Sequence, residues 1–307
     1  MRILLATDGS KHSLLAEALL AKLPQTRGAK VDCAHAVPSP LAFVATVPPM
    51  GGLGLADQSA AIWEAALAEG RKVAEAGAAR MRARGFDALP LVLEGDPGNA
   101  LLDQADDQYD LIALGSKGES AIKSFLLGSV ARKLLSHSPV SLLIARCGHD
   151  QTPEQAIERL ESKSKLDVLV AVDGSAGSIN AVQTISSAPD KAFGKVVPVC
   201  VHPLIVTPTG IEPSMFRDTY DEDEMRAKNL VSGAEDTLGR VADEVLGRAV
   251  LARPAHGLIG VAEKEAADLL VIGATRHGAL ERFFIGSVSY EVATEAPCSV
   301  LVVRRKG

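Results

Sequence analysis

No stretch of this sequence approaches the roughly 18 consecutive apolar residues that a membrane helix requires, so a chain embedded in a bilayer by helices is not expected. An apolar run opens at Ile3, but Asp8 ends it well short of a secretory core, which reads against export. The four cysteines, Cys33, Cys147, Cys200 and Cys298, form no CxxC pair and sit in or beside apolar runs. They read as reduced packing thiols in a cytoplasmic protein, not as a disulfide framework. Aromatic residues make up only 4% of the chain, and the apolar content is mostly Ala, Val, Leu and Ile. That suits helices packed on parallel strands better than a sandwich of hairpins. There is no dense Lys/Arg stretch, and the formal net charge is -6. Broad electrostatic attachment to nucleic acid or to an anionic membrane is thereby excluded. Also missing are a GxxxxGK[ST] phosphate loop, a GxGxxG turn and a GxSxG nucleophile elbow, so the usual sequence signatures of catalysis are lacking.

What is present is a duplication. "RILLATDGS" at 2–10 aligns with "DVLVAVDGS" at 167–175, and "GSVARKLLSHSPVSLLIAR" at 128–146 with "GSVSYEVATEAPCSVLVVR" at 286–304. Between these anchors, "VDCAHAVP" at 31–38 is paired with "VPVCVHPL" at 197–204, and "YDLIALG" at 109–115 with "ADLLVIG" at 267–273. Repeat one runs over 1–147 and repeat two over 165–307, joined by a polar linker at 148–164 whose Thr152-Pro153-Glu154 start predicts a short charged helix. Each repeat alternates short apolar runs with longer helical stretches, which predicts an α/β fold with crossover units around a parallel sheet. Strands are expected near 2–7, 30–36, 89–94, 110–115 and 140–146, and again near 166–172, 195–202, 248–252, 268–273 and 298–304. Helices in repeat one are expected near 11–23, 56–84, 98–107 and 127–137. The proline- and glycine-rich segments 38–58 and 203–219 read as loops.

Ligands of open parallel sheets sit beyond the carboxyl ends of the strands, where strand order reverses. Two sharp turns fall at such ends: Asp8-Gly9-Ser10 and Gly115-Ser116-Lys117-Gly118. Missing Cβ atoms at Gly115 and Gly118 let a ligand approach the backbone. Gly128-Ser129 then opens a helix whose free N–H groups favour a phosphate. The Asp8 carboxylate suits a nucleoside amino or hydroxyl group at the other end of the ligand. In the alternative reading the glycines merely make tight turns, with Ser10, Ser129, Ser175 and Ser287 as N-caps worth about 1 kcal/mol each.

With Gly115, Gly118, Gly128 and Ser129 at the spacing Gly-x2-Gly-x9-Gly-Ser, the sequence resembles the universal stress protein family, and specifically its tandem members. The resemblance implies two Rossmann-like sheets of order 3-2-1-4-5, of the adenine nucleotide alpha hydrolase-like kind, with ATP beside the first and fourth strands of repeat one and Mg²⁺ on its phosphates. Its site would comprise Ala6, Thr7 and Asp8, Ala36, Leu114, Gly115, Lys117 and Gly118, and Gly128, Ser129 and Val130. Repeat two keeps Asp173, Gly273, Gly286 and Ser287 but carries Arg276 where the second glycine belongs. That side chain either fills the space a ribose or phosphate needs or pairs with phosphate. Cys33/His35 and Cys200/His202 recur in the paired strands; two ligands make no zinc site, so they read as packing. The fifth strands, "VSLLIAR" and "CSVLVVR", would be apolar sheet edges. By resemblance they pair with each other inside the chain, and a homodimer remains open. The expected function is a nucleotide-dependent stress-response module that binds ATP and is not an enzyme. The alternatives are a nucleotide-independent scaffold and a slow ATP hydrolase.

Overall fold

The structure, a computed structural model, describes residues 1–38, 55–105, 108–118, 127–148, 150–202, 217–274 and 285–304. It divides into two compact units, essentially Met1–Ala145 and Arg146–Arg305. In the first, β1 (Arg2–Ala6) leads through α1 (Lys11–Lys22) to β2 (Lys30–Val37). The chain continues through α2 (Leu55–Ala83), β3 (Asp87–Glu94), α3 (Pro97–Gln104), β4 (Leu111–Gly115), α4 (Ser129–His137) and β5 (Ser141–Ala145). Strand order is β3-β2-β1-β4-β5, and the pairs are parallel, with Ile3 opposite both Val31 and Leu111. The reversal of order therefore falls between β1 and β4. Strands covered on both faces must be apolar on both, and Ile3, Leu4 and Leu5 are fully buried, as are Ile112 and Ala113.

Short-range chemistry starts each crossover. After β1, Gly9 turns the chain at φ +77°, a left-handed conformation that glycine adopts freely. The Asp8 carboxylate accepts the Ser10 N–H at 3.0 Å, and the Ser10 hydroxyl oxygen accepts the Ser13 N–H at 3.3 Å. On the far face, α2 lies against β2 and β3 through Ala74, Ala78 and Met81, all buried. A buried carboxylate, Glu17 of α1, is held there by a two-point ion pair with Arg80 of α2 at 2.7 and 2.8 Å.

The second unit opens with α5 (Pro153–Ser162), started by a capping box between Thr152 and Gln155 with Pro153 in its first turn. There follow β6 (Val168–Ala171), α6 (Ala176–Ser186), β7 (Phe193–His202) and α7 (Arg217–Leu238). The short strands β8 (Ala242–Val245) and β9 (Arg248–Leu251) come next, then α8 (Pro254–Lys264), β10 (Leu269–Gly273), α9 (Ser287–Glu295) and β11 (Ser299–Val303). Its order is β8-β7-β6-β10-β11, with β9 also on β7. Sequence periodicity anticipated only the 248–252 strand here. The third strand is in fact split: the Gly247 N–H donates to the Glu235 carboxylate at 2.6 Å, and a Cβ at Gly247 would lie 2.0 Å from Val231. The missed piece, Ala242–Val245, exposes its two middle acids and so carries no apolar signal.

Strand register corrects one alignment made from sequence. Ala6 pairs with Ala34, and its counterpart Ala171 pairs with Val199. His35 therefore corresponds to Cys200, not to His202, and Cys33 corresponds to Pro198. The slip is two residues, which keeps each side chain on its expected face. Cys33 and Cys200 are buried, and Cys200 packs on Ala227 and Val231 of α7. Burial pushes the Cys33 thiol up to about 12. No group of three or more metal-ligating side chains occurs among the described residues.

Candidate functional site

A cavity of about 660 Å³ opens at the carboxyl ends of β1 and β4. Its walls come from five places in the chain. Ala6, Thr7 and Asp8 end β1, with Ser13 one turn into α1; Ala34, His35 and Ala36 belong to β2; Pro97 and Leu101 start α3. The remaining wall is Leu114 through Gly118 together with Gly128 to Ala131. All eleven residues expected in repeat one thus surround one space. Missing from the expectation were Ser13, Ala34, His35, Pro97, Leu101, Ser116 and Ala131. Ser116 stood inside the glycine motif itself. Pro97 and Leu101 were less visible, because only the crossover geometry carries α3 over the ends of the strands. A larger groove of about 860 Å³ lies between α2 and the edge strand β3, lined by Leu67, Arg71, Pro90 and Val92 among others. It holds no helix start and no glycine turn.

The three motif glycines do different things. A Cβ on Gly115 would lie 2.6 Å from the His12 carbonyl carbon and 2.7 Å from its oxygen. This glycine lets β4 and α1 touch, and its bare face is turned to protein backbone, which corrects the expectation that it admits a ligand. The second unit repeats the device more tightly: a Cβ on Gly273 would stand 2.1 Å from Gly177, the residue replacing His12. At Gly118, by contrast, the one described atom that a Cβ would meet is the Asp8 carboxylate oxygen, at 2.9 Å. This position, exposed in the structure, keeps space open beside Asp8. At Gly128 a Cβ would have its nearest neighbours at 3.4 Å, the Ser116 carbonyl, and 3.5 Å, the Lys117 Cα. The Gly128 N–H donates to that same Ser116 carbonyl at 2.8 Å, which clasps the 115–118 turn onto the start of α4.

Ser129 is not an N-cap. Gly128 is the cap of α4 and Gly286 that of α9, each without a side-chain hydrogen bond, so Ser129 and Ser287 stand at the first helical position. The Ser129 hydroxyl is thereby not committed as a cap, and no described side chain caps the first-turn N–H groups of α4 at the cavity. Ser10 and Ser175 do serve as caps, Ser175 accepting the Ser178 N–H at 3.2 Å.

Asp8 is the one carboxylate on the described cavity wall and Lys117 the one lysine. His35 fixes the end of β1, its Nδ1 lying 2.8 Å from the Thr7 carbonyl oxygen and donating to it. In the second unit Asp173 copies Asp8, with its carboxylate accepting the Ser175 N–H at 2.8 Å. Burial works against that charge, yet hydrogen bonds from Ser175 and Ser178 hold Asp173 below the usual carboxylate range. Position 131 becomes Ser289, whose hydroxyl donates to the Gly273 carbonyl at 3.0 Å. Arg276 lies outside the described residues.

A family model described as the universal stress protein family matches residues 1–146 and 166–304. A universal stress protein of Mycolicibacterium smegmatis is 30% identical over 204 residues, 65% of this chain and 63% of that protein. One from Thermus aquaticus is 32% identical over 137 residues, 45% of this chain and 97% of its own length. A Mycobacterium tuberculosis universal stress protein, Rv1996, is 30% identical, and 59% of its length is spanned. The chain thus aligns with about 60% of the length of these mycobacterial relatives. Among solved structures, a universal stress protein from Archaeoglobus fulgidus superposes with a TM-score of 0.57 at 22% identity, covering 99% of this chain and 96% of that one. Two family domains fill almost the whole sequence, and the chain belongs to the universal stress protein family as a tandem member.

Proposed function

We propose that the first unit binds an adenine nucleotide and that the chain is a cytoplasmic, nucleotide-dependent stress-response module. One observation carries this reading: the 660 Å³ cavity at the β1–β4 crevice is lined both by the Asp8 carboxylate and by a helix start that no described side chain caps. The fit is chemical as well as spatial. Main-chain N–H groups at the head of a nine-residue helix and the Ser129 hydroxyl suit phosphate oxygens. Asp8, held by Ser10, is an acceptor for the hydroxyls or amino group of a nucleoside. Apolar Leu101, Ala34 and Ala36 suit the faces of a base. The volume falls within the range of small-molecule sites.

Mg²⁺ would arrive with the phosphates: the described wall offers Asp8 alone among carboxylates, whereas the ion prefers to keep water and phosphate oxygens. The module binds and does not turn over its ligand. The described wall groups able to act as bases are Asp8 and His35, and His35 is oriented by the Thr7 carbonyl. A second reading, a scaffold independent of nucleotide, is favoured at one position, because Gly115 serves the contact with His12. Calorimetry on nucleotide-stripped full-length protein separates the two. Saturable heat with ATP supports binding, and its absence supports the scaffold. A turnover assay run beside it, with Gly118→Ala as control, tests the proposal that no efficient ATP hydrolysis accompanies binding.

A further inference from the structure

We infer that Cys147 and Cys298 close into a reversible disulfide when the protein meets a hydroperoxide, which gives the second unit an oxidant-responsive site independent of any nucleotide. Both cysteines belong to that unit and are thiols in the structure. Two contacts bracket them. The Arg146 N–H donates to the Ser299 hydroxyl at 3.2 Å, and that hydroxyl lies 3.3 Å from the Arg146 carbonyl oxygen. One residue past Cys147, a Cβ on Gly148 would stand 3.3 Å from the carbonyl oxygen of Pro297, one residue before Cys298. The chain at 146–148 therefore runs against 297–299 in opposite sense, and Cys147 is set opposite Cys298. Residues directly opposed in antiparallel segments have Cα atoms about 4.5–5.5 Å apart and side chains on one face, within the span of about 4.4–6.8 Å that a disulfide bridges. Arg146 gives an independent sign of the same juxtaposition. Its guanidinium, held by the Ala293 and Thr294 carbonyls at 3.2 and 2.6 Å, lies within electrostatic reach of both sulfurs. Repeat one has Val140 where repeat two has Cys298, so it cannot form the same pair.

The two thiols differ in access. Cys147 is half-buried and Cys298 buried, and burial pushes the Cys298 thiol up to about 12 against the opposing charge of Arg146. Cys147 is therefore the thiol that meets the oxidant. Its thiolate attacks one peroxide oxygen, the O–O bond breaks, and the leaving hydroxide takes the thiol proton as water, which leaves a sulfenic acid. The Cys298 sulfur then attacks the Cys147 sulfur: the S–S bond forms, the S–O bond breaks, and hydroxide leaves with the Cys298 proton as a second water. Two thiols lose two electrons in all, and the peroxide gains them. The reduced state expected from the sequence is the resting state of this pair.

The test treats the full-length chain with hydrogen peroxide, blocks the remaining thiols by alkylation, and maps the peptides by mass spectrometry without reduction. A peptide pair joined through Cys147 and Cys298 is expected, lighter by two hydrogens and reopened by dithiothreitol, with Cys33 and Cys200 still alkylated. The oxidised chain should also unfold at higher urea than the reduced one, because the cross-link restricts the unfolded chain. In Cys147→Ser, a half-buried change, Cys298 should keep its thiol at the same peroxide dose. Oxidation of Cys147 that stops at sulfenic or sulfinic acid, a disulfide between two chains, or loss of the Cys298 thiol in Cys147→Ser would each overturn the inference. So would four thiols that all remain alkylatable after peroxide.

Discussion

Substituting alanine at two glycines three residues apart should separate folding from binding. At Gly115 the added methyl would sit 2.6 to 2.8 Å from three atoms of His12, two of them backbone. Ordinary carbon contacts begin near 3.5 Å, so β4 and α1 must move apart. Overpacking of this kind costs about 1–3 kcal/mol, and a contact with rigid backbone belongs at the upper end. The loss of chain freedom in the unfolded state returns about 0.4–1 kcal/mol. Net destabilisation of about 2 kcal/mol is expected, or a fall in melting temperature of roughly 4–8 °C for a domain near 150 residues. At Gly118 the same methyl meets, among the described residues, one end of the Asp8 carboxylate, at 2.9 Å, and a rotation of that side chain relieves it. Gly118→Ala should therefore change stability by less than about 0.5 kcal/mol, as a surface substitution does. It should nonetheless weaken nucleotide binding by tenfold or more, because the methyl and the displaced carboxylate enter the cavity. Urea denaturation and calorimetry on both variants provide the two readings. A Gly115→Ala chain as stable as the parent would refute the packing role. Equal nucleotide affinity in Gly118→Ala and the parent would refute the role given to that space.

Further outcomes follow from named interactions. Arg80→Met strands the buried Glu17 carboxylate and should destabilise the first unit by about 3 kcal/mol; adding Glu17→Val, the residue type that the second repeat carries at Val182, should recover most of that in denaturant titrations. Ser175→Ala removes the N-cap of α6 and should cost about 1 kcal/mol, measured by thermal melting. The Cys33 thiol rises from 9.0 to about 12 and the Tyr109 phenol from 10.0 to about 12, both through burial first. Each is neutral when folded and ionises earlier when unfolded, so its stabilisation is complete below the unfolded value and is lost as pH rises toward 12. Stability should accordingly fall from about pH 9 upward, and Cys33→Ala should flatten the first part of that fall in a pH series of urea melts.

What could be read from the sequence was whatever leaves a local or repeated mark. Continuous apolar runs such as Leu111–Leu114 located the strands, because central parallel strands are buried on both faces. The duplication and the Gly-Ser spacing pointed to one crevice, and the chain folds those positions around one cavity. Harder to see was what each glycine faces. Gly115 and Gly118 look alike in sequence, yet one abuts the His12 backbone and the other Asp8. The cap of α4 was displaced by one residue because Gly128 and Ser129 both have cap character and local sequence does not rank them. Cys33 and Cys200 were equated by identity, whereas hydrogen-bond register, which has no local signature, equates His35 with Cys200. Ala242–Val245 escaped notice because a half-exposed edge strand need not be apolar. The expected loops at 38–58 and 203–219 end too late, since 55–58 and 217–219 already belong to α2 and α7; their parts at 39–54 and 203–216, and the departure at Arg276, lie outside the described residues.

Native mass spectrometry of the stripped full-length chain titrated with ATP and Mg²⁺ bears most directly on whether the first unit holds a nucleotide. One ATP per chain is expected, disappearing in Gly118→Ala while the protein stays folded. A spectrum with no adduct at saturating ATP, or an adduct indifferent to Gly118→Ala, would contradict it.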